Sequence, residues 1–301
     1  MSLANQSLQP TLKESQKTIK TNSMWRDFYK KFKRNKAALI SVYFILFFIV
    51  VAIIGPMLTI HDPTAVKYSL KLLPPSSEYW FGTDHNGRDI FTRIIHGMGI
   101  TLFVGFLSVV IGMIIGVLLG IISGYYGGII DSIIMRATDV LLSFPGILLA
   151  IAIAGAMGGN LANVIIAVAI FSIPSFARIV RGSTLSVRKL EYIDAIRALG
   201  ASDLRIIFKH VLPNITSPII VQATLRIATA ILTASGLSFL GLGAQPPTPE
   251  WGAMLNDGRS FIFEHPHVAF FPGIAIVIVV LLFNIAGDGL RDALDPKNEK
   301  K

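Results

Sequence analysis

Cysteine is absent from this 301-residue chain, which excludes disulfides and thiolate-held metals. Charge is scarce: Asp, Glu, Lys and Arg make up 15% of the residues, against about 25% in an ordinary soluble domain. No glycine is followed by lysine, so a G-x-x-x-x-G-K-[ST] phosphate loop cannot form. The chain is therefore expected not to hydrolyse ATP itself. H-E-x-x-H is missing as well, and the six histidines are scattered. Their nearest approach to a cluster is Glu264, His265 and His267, expected to be a solvated loop rather than a metal site. No catalytic residue, metal or cofactor is implied, and no local Ser/His/Asp grouping supports a membrane-bound enzyme.

Apolar sequence fills the space that charge leaves. The hydrophobic fraction is 52% and the mean hydropathy +0.63, a membrane composition. Long apolar runs predict about six helical spans, near residues 37–60, 100–123, 139–157, 160–180, 218–243 and 268–286, each able to cross a hydrocarbon core of about 30 Å. The fold class is thus an all-α membrane protein. The first run is too long, and too far from the N-terminus, to be a signal peptide, and is expected to be retained. Residues 1–36 read as a cytoplasmic tail. It ends in a basic amphipathic helix, WRDFYKKFKRNK, whose Trp25, Phe28, Tyr29 and Phe32 suit an anionic bilayer surface. Residues 37–301 form the membrane domain. The formal net charge of +9 does not point to nucleic acid, because the basic residues sit on alternate loops. With the N-terminus inside, 21 Lys and Arg fall on inner segments and five on outer loops. The positive-inside rule then places both termini in the cytoplasm.

Two features stand out within the spans. Gly112, Gly116, Gly120 and Gly124 recur every four residues, a stripe that lets another helix come close. Pro145, after Phe144, is expected to kink the third span.

Between the fourth and fifth spans lies a charged segment, residues 188–213, that reads as a helix–turn–helix. Tyr192, Ile196 and Leu199 are spaced for one helix, and Leu204, Ile207, Phe208 and Val211 for a second. Gly200 suits a C-terminal cap. Ser202 can cap the second helix, with Asp203 in its first turn, and Pro213 is expected to end it. Such an amphipathic pair fits a groove on a soluble partner.

Asp194-Ala195-Ile196, Gly200 and Leu212-Pro213 resemble the EAA loop of membrane subunits in bacterial ATP-binding cassette (ABC) importers. Asp194 replaces the usual Glu, Ile196 an Ala, and His210 an aliphatic residue. FGTDHNGRDIFTRIIHG (81–97), MRATDVLLSFP (135–145), LSFLGLGAQPPTPEWG (237–252) and GDGLRDALDP (287–296) are similar to the dipeptide, oligopeptide and nickel importers. Met98 and Gly99 stand where that subgroup often has Arg, and Ala234 lies where it often has an acidic residue. The resemblance implies the type I ABC importer permease fold in the bacterial inner membrane. It also implies four kinds of partner: a second homologous permease, two cytoplasmic ATP-binding subunits, an extracytoplasmic solute-binding protein and the lipid bilayer. Asp194, Ala195, Gly200, Ala201, Ser202, Asp203, Leu212 and Pro213 are the implied ATPase-coupling residues. Di- or oligopeptides are the expected cargo, with nickel or another small solute as the alternative. An ATP-independent secondary transporter would need an inverted repeat or an intramembrane acidic relay, and neither is evident. Arg226, about 12 Å into the fifth span at 1.5 Å per residue, either lines the translocation path or snorkels and pairs with a carboxylate.

Overall fold

A computed structural model describes residues 31–294. The 1–30 tail, and with it Trp25, Phe28 and Tyr29 of the expected interfacial helix, lies outside the described residues, as do residues 295–301. Among the described residues the chain is helical apart from turns and one isolated bridge, Thr83 to Asp89.

Helix α1 spans Lys36–Leu58. Asn35 starts it, its side-chain oxygen accepting the Ala38 N–H at 3.1 Å. Only Ala38 and Ser41 are buried along it, so an almost wholly apolar rod faces outward, as lipid requires. Helix α2, Ile90–Tyr126, is 37 residues long, about 55 Å at 1.5 Å per residue. It begins ten residues before the expected span because Asp89 caps it firmly. That carboxylate accepts the Thr92 N–H at 3.1 Å and the Thr92 hydroxyl at 2.6 Å. Residues 90–99, ahead of the expected span, are thus the first turns of this helix.

The third span departs further from expectation. Residues 128–138, ahead of the span expected at 139–157, belong to helix α3, Gly128–Ser143. A second piece, α4, covers Gly146–Met157. The two meet at 91°, a break rather than a kink. Proline drives the residue before it out of the helical region, and Phe144 is extended at φ −84°, ψ 138°. Gly146 then lies flush on the Phe171 ring, with no room for a Cβ.

Helix α5 is Leu161–Arg188, α6 is Glu191–Ala198 and α7 is Asp203–Ile206. A π-helical turn, Ile207–Val211, leads from α7 into α8, Leu212–Phe239. Pro213 therefore does not end a helix, because Asp203–Phe239 runs as one. In the wide turn the Leu212 N–H reaches the Ile207 carbonyl. The extra residue makes room for a ring that would clash in a regular helix. A short helix α9, Trp251–Gly258, precedes α10, His267–Leu294. Five helices are long and apolar enough to cross a membrane, and six if α3 and α4 count as one span.

Three apolar clusters hold the bundle. Val109, Val164, Val168, Phe176 and Leu237 join α2, α5 and α8 at mid-height. Ile94, Trp251, Met254 and Val279 seal the end near α9. Ile121, Val180, Ile193, Ile206 and Val211 seal the opposite end, where the 188–213 segment docks. The glycine stripe lies on α5 as expected. A Cβ on Gly112, Gly116, Gly120 or Gly124 would come within 2.6–2.8 Å of the carbonyl oxygens of Ala169, Ile173, Ala177 and Arg181. No real side chain tolerates that approach, so the backbones themselves are the contact.

Candidate functional site

The segment after α5 turns on Gly200. Its φ of +83° is the left-handed conformation that suits glycine. Gly200 N–H bonds the Arg197 carbonyl at 3.0 Å, and Ala201 N–H bonds the Ile196 carbonyl at 3.3 Å. Together these are the paired bonds of a Schellman cap. Ser202 occupies the N-cap of α7, but its side chain makes no capping bond, which corrects its expected role. Asp203, in the first turn as expected, instead accepts a hydrogen bond from the Tyr125 hydroxyl at 2.7 Å.

The apolar stripes resolve differently from their spacing. Ile193 is the fully buried residue of α6, while Tyr192 is exposed and Leu199 is 87% exposed. In the second helix Ile206, Ile207 and Val211 are buried, whereas Leu204 and Phe208 are 65% and 62% exposed. Residues four apart still share a face, Leu204 with Phe208 and Ile207 with Val211, so the i, i+3, i+4, i+7 spacing runs together two apolar faces that the fold separates. The segment thus has two apolar faces. One is folded against α2 and α5, and the other, with Leu199, Leu204 and Phe208, is open.

The expected coupling residues divide between these faces. Asp194, Ala195, Gly200, Ser202, Asp203 and Pro213 are exposed, while Ala201 and Leu212 pack on the inner cluster. Asp194 pairs with Arg197 at 3.1 Å, an exposed pair of small energetic weight. Arg197 also donates to the Tyr125 hydroxyl oxygen at 3.5 Å and lies 5.9 Å from that ring's centre. Sequence reasoning missed Tyr125, which stands 78 residues from Asp203 and carries no local signal.

It also missed the partner of Arg181. Asp131 accepts both guanidinium bonds at 2.6 Å and the Ser123 hydroxyl at 2.5 Å, tying α2, α3 and α5 together.

Arg226 reaches from α8 to the Ser175 hydroxyl on α5. Among the described residues no carboxylate pairs with it. One helical turn along, Ile179 and Gln222 line a cavity of about 490 Å³ with Ser217, Pro218 and Arg291. The guanidinium is therefore half-buried, one turn from a cavity of mixed lining that Val221, Leu225 and Leu294 complete, with the Ser175 hydroxyl as its hydrogen-bond partner.

At the other end of the bundle the FGTDHNGRDIFTR stretch encloses charge. Arg88 bonds Asp84 at 2.6 Å and Asp257 at 3.3 Å. Arg93, 2% exposed, donates to the Pro63 and Pro247 carbonyls at 2.8 and 3.2 Å. Glu250 caps α9, accepting the Ala253 N–H at 2.9 Å, and is also 2% exposed. Burial pushes its carboxyl above the ordinary glutamate value, against hydrogen bonds from Gly252, Ala253, Ser238 and Thr101 that lower it. An acidic residue just ahead of an apolar helical run is a helix-start signal; Asp257, Arg88's distant partner, has none. Glu264, His265 and His267 hold no metal geometry, and no group of three ligating side chains occurs among the described residues.

Comparisons with known proteins accord with this architecture. Residues 116–300 match the family described as binding-protein-dependent transport system inner membrane component. Residues 23–75 match the N-terminal transmembrane domain of oligopeptide transport permease C. The glutathione transport system permease protein GsiD of Salmonella typhimurium is 55% identical over 274 residues, 91% of this chain and 90% of its own length. Its counterparts in Pectobacterium atrosepticum and Escherichia coli are 52% and 51% identical, over 91% of this chain and 91% and 90% of their own lengths. Among solved structures, an inward-facing form of the MetNI methionine ABC transporter superposes with a TM-score of 0.56 at 22% identity, over 68% of this chain and 98% of that one. An amino acid ABC transporter gives 0.51 at 16% identity, over 66% and 92%. Those two likenesses are of fold, that of type I ABC importer permeases. The matched length, the relatives' identity and the helical architecture together establish that this chain belongs to the binding-protein-dependent transport system inner membrane component family, as a multi-pass permease subunit of an ABC importer.

Proposed function

We propose that this permease carries short peptides, glutathione among them, into the cell in an ATP-driven complex. The observation that carries the reading is 51–55% identity, over nine-tenths of the chain, to permeases named for glutathione transport. In this reading residues 1–36 are a cytoplasmic tail, residues 37–301 are the permease domain, and both termini lie in the cytoplasm. The bias of 21 to 5 in basic residues supports that orientation. A second permease completes the path, two cytoplasmic ATPases supply the hydrolysis, and an extracytoplasmic solute-binding protein delivers the cargo.

The 188–213 segment is the coupling element. Its open face is what an ATPase groove would receive: Asp194 and Ala195 on α6, Gly200, Ser202 and Asp203 at the turn, and the exposed Leu199, Leu204 and Phe208, with Ala201 seating the turn from beneath. Leu212 and Pro213 pass from it into α8. Exposed apolar residues of this size on a charged segment gain most when a partner removes them from water. Arg226 faces the translocation path. A guanidinium at that depth without a carboxylate partner is costly unless water or a passing anion serves it, and a peptide carboxylate has the matching fork geometry.

The test is uptake in cells lacking this chain, with and without its restoration. Labelled glutathione, dipeptide, longer peptide and nickel are compared, with cellular ATP intact or depleted. ATP-dependent loss of glutathione or peptide uptake on deletion is expected. Loss of nickel uptake alone, with peptides unaffected, overturns the substrate assignment; uptake indifferent to ATP overturns the importer coupling.

A further inference from the structure

One hydroxyl joins both halves of the 188–213 segment to a transmembrane helix. Tyr125 is the penultimate residue of α2, and only 3% of it is exposed. Its O–H donates to Asp203 at the start of α7 at 2.7 Å, and its oxygen accepts from Arg197 at the end of α6 at 3.5 Å. The contact therefore spans the Gly200 turn, with a bond from each side.

The helix it grips is itself bound to α5. Gly124, one residue before Tyr125, lies against the Arg181 backbone, where a Cβ would fall 2.8 Å from the carbonyl oxygen. The Arg181 side chain bonds Asp131, which also takes the Ser123 hydroxyl. From Gly112 to Gly124 the α2 glycines seat directly against α5 carbonyl oxygens and the Cβ atoms of Ser172, Phe176, Val180 and Thr184. These two helices thus form a plate with little freedom to shear. The segment's two covalent ends differ: one joins α5 directly through Lys189 and Leu190, and the other enters α8 through the π turn Ile207–Val211 with Pro213 just beyond. That is the least regular stretch of the long helix and the one where bending costs least.

We propose that Tyr125 is a positioning residue through which displacement of the coupling segment enters the bundle, by its hydrogen bond to Asp203, into the α2–α5 plate rather than along α8. The proposal rests on the coupling role assigned above. Without the hydroxyl the segment keeps its apolar seat, Ile193, Ile206 and Val211 on Ile121 and Val180, but loses the directional bond, so it slips against α2 under load.

The experiment uses the complete complex, with its partner subunits, in proteoliposomes, and measures glutathione and dipeptide uptake together with ATP hydrolysis. Tyr125→Phe keeps the ring and its packing. Transport per ATP is expected to fall about fivefold, the factor one net hydrogen bond sets, while hydrolysis, assembly and melting temperature stay close to the parent. Asp203→Asn keeps an acceptor oxygen and should retain more coupling than Asp203→Ala, which should approach Tyr125→Phe and keep only the longer Arg197 bond. The double variant Tyr125→Phe/Asp203→Ala should be no worse than Tyr125→Phe alone, because that variant already removes the bond that Asp203→Ala removes. Parental coupling in Tyr125→Phe, multiplicative losses in the double variant, or a fall that only tracks lost assembly would each overturn the proposal. A parent complex that hydrolyses ATP yet imports neither solute overturns the short-peptide reading on which this assay rests. A parent that transports while Tyr125→Phe is indifferent overturns the link alone.

Discussion

At Glu250 the cost of burial and the supply of hydrogen bonds oppose one another. Its carboxyl titrates above the ordinary glutamate value because burial disfavours the charged form. A carboxyl whose folded-state value is raised contributes fully to stability below its unfolded value, and that contribution is lost as pH rises through the folded value. The parent should therefore lose stability from acidic pH towards neutrality. Glu250→Gln keeps an oxygen for the Ala253 N–H and should flatten that dependence, with a melting temperature at pH 7 equal to or above the parent's. Thermal unfolding of both in detergent between pH 4 and 8 checks this; identical profiles would mean that Glu250 sets no part of the slope. Arg226 is the opposite case, a charge that cannot be shed. Its bond to Ser175 is served equally by an amide, so Arg226→Gln should leave yield and melting temperature unchanged. The KM for a carboxylate-bearing peptide should rise about tenfold, as loss of a charge-assisted bond implies. Unchanged transport kinetics in a stable Arg226→Gln protein would remove Arg226 from the path.

At the scale of elements, the 188–213 turn is set by one glycine. The Gly200 site has open space around it, so a substitution is penalised by backbone conformation and not by crowding. Gly200→Ala should cost about 1 kcal/mol through the positive φ. Gly200→Pro should cost more, because it also removes the N–H that bonds Arg197. Both should insert and assemble, and both should lower ATP-coupled uptake, proline the more; full uptake by Gly200→Pro in assembled complexes would mean that the turn need not be rigid. This turn was legible in the sequence because a cap is local: residues within six positions decide it. The glycine stripe was legible for the same reason, since its period lies on one helix face. The break at Pro145 was located but underestimated, because its angle is fixed by how Gly146 sits on Phe171, 25 positions away. The apolar stripe of the second coupling helix misled, because spacing cannot tell one broad apolar face from two adjacent ones, Ile207 and Val211 turned inward and Leu204 and Phe208 outward. Asp203 to Tyr125, Asp131 to Arg181 and Arg88 to Asp257 were invisible for the opposite reason: each is a long-range pair of residues that look ordinary in their own neighbourhoods.

At the scale of the molecule, apolar runs gave the number of membrane crossings to within the ambiguity of one broken pair, and basic-residue bias gave an orientation that can be tested directly. The absence of cysteine makes the chain its own labelling background. Leu199 and Phe263 are 87% and 97% exposed and lie on loops assigned to opposite sides. In intact cells an impermeant maleimide added outside should modify Phe263→Cys and spare Leu199→Cys until the cells are opened. Labelling of Leu199→Cys from outside would invert the topology. The α2–α5 seam bears on what such a molecule can do once embedded. Its glycines recur every four residues, and so do the carbonyls they face, at 169, 173, 177 and 181. Two evenly toothed edges of equal pitch mesh again only after one has advanced by a whole tooth, here one helical turn of about 5.4 Å. Any smaller slide would drive a neighbouring side chain against a backbone, so the seam behaves as a rack with detents: during a transport cycle the two helices either travel together or jump a full notch.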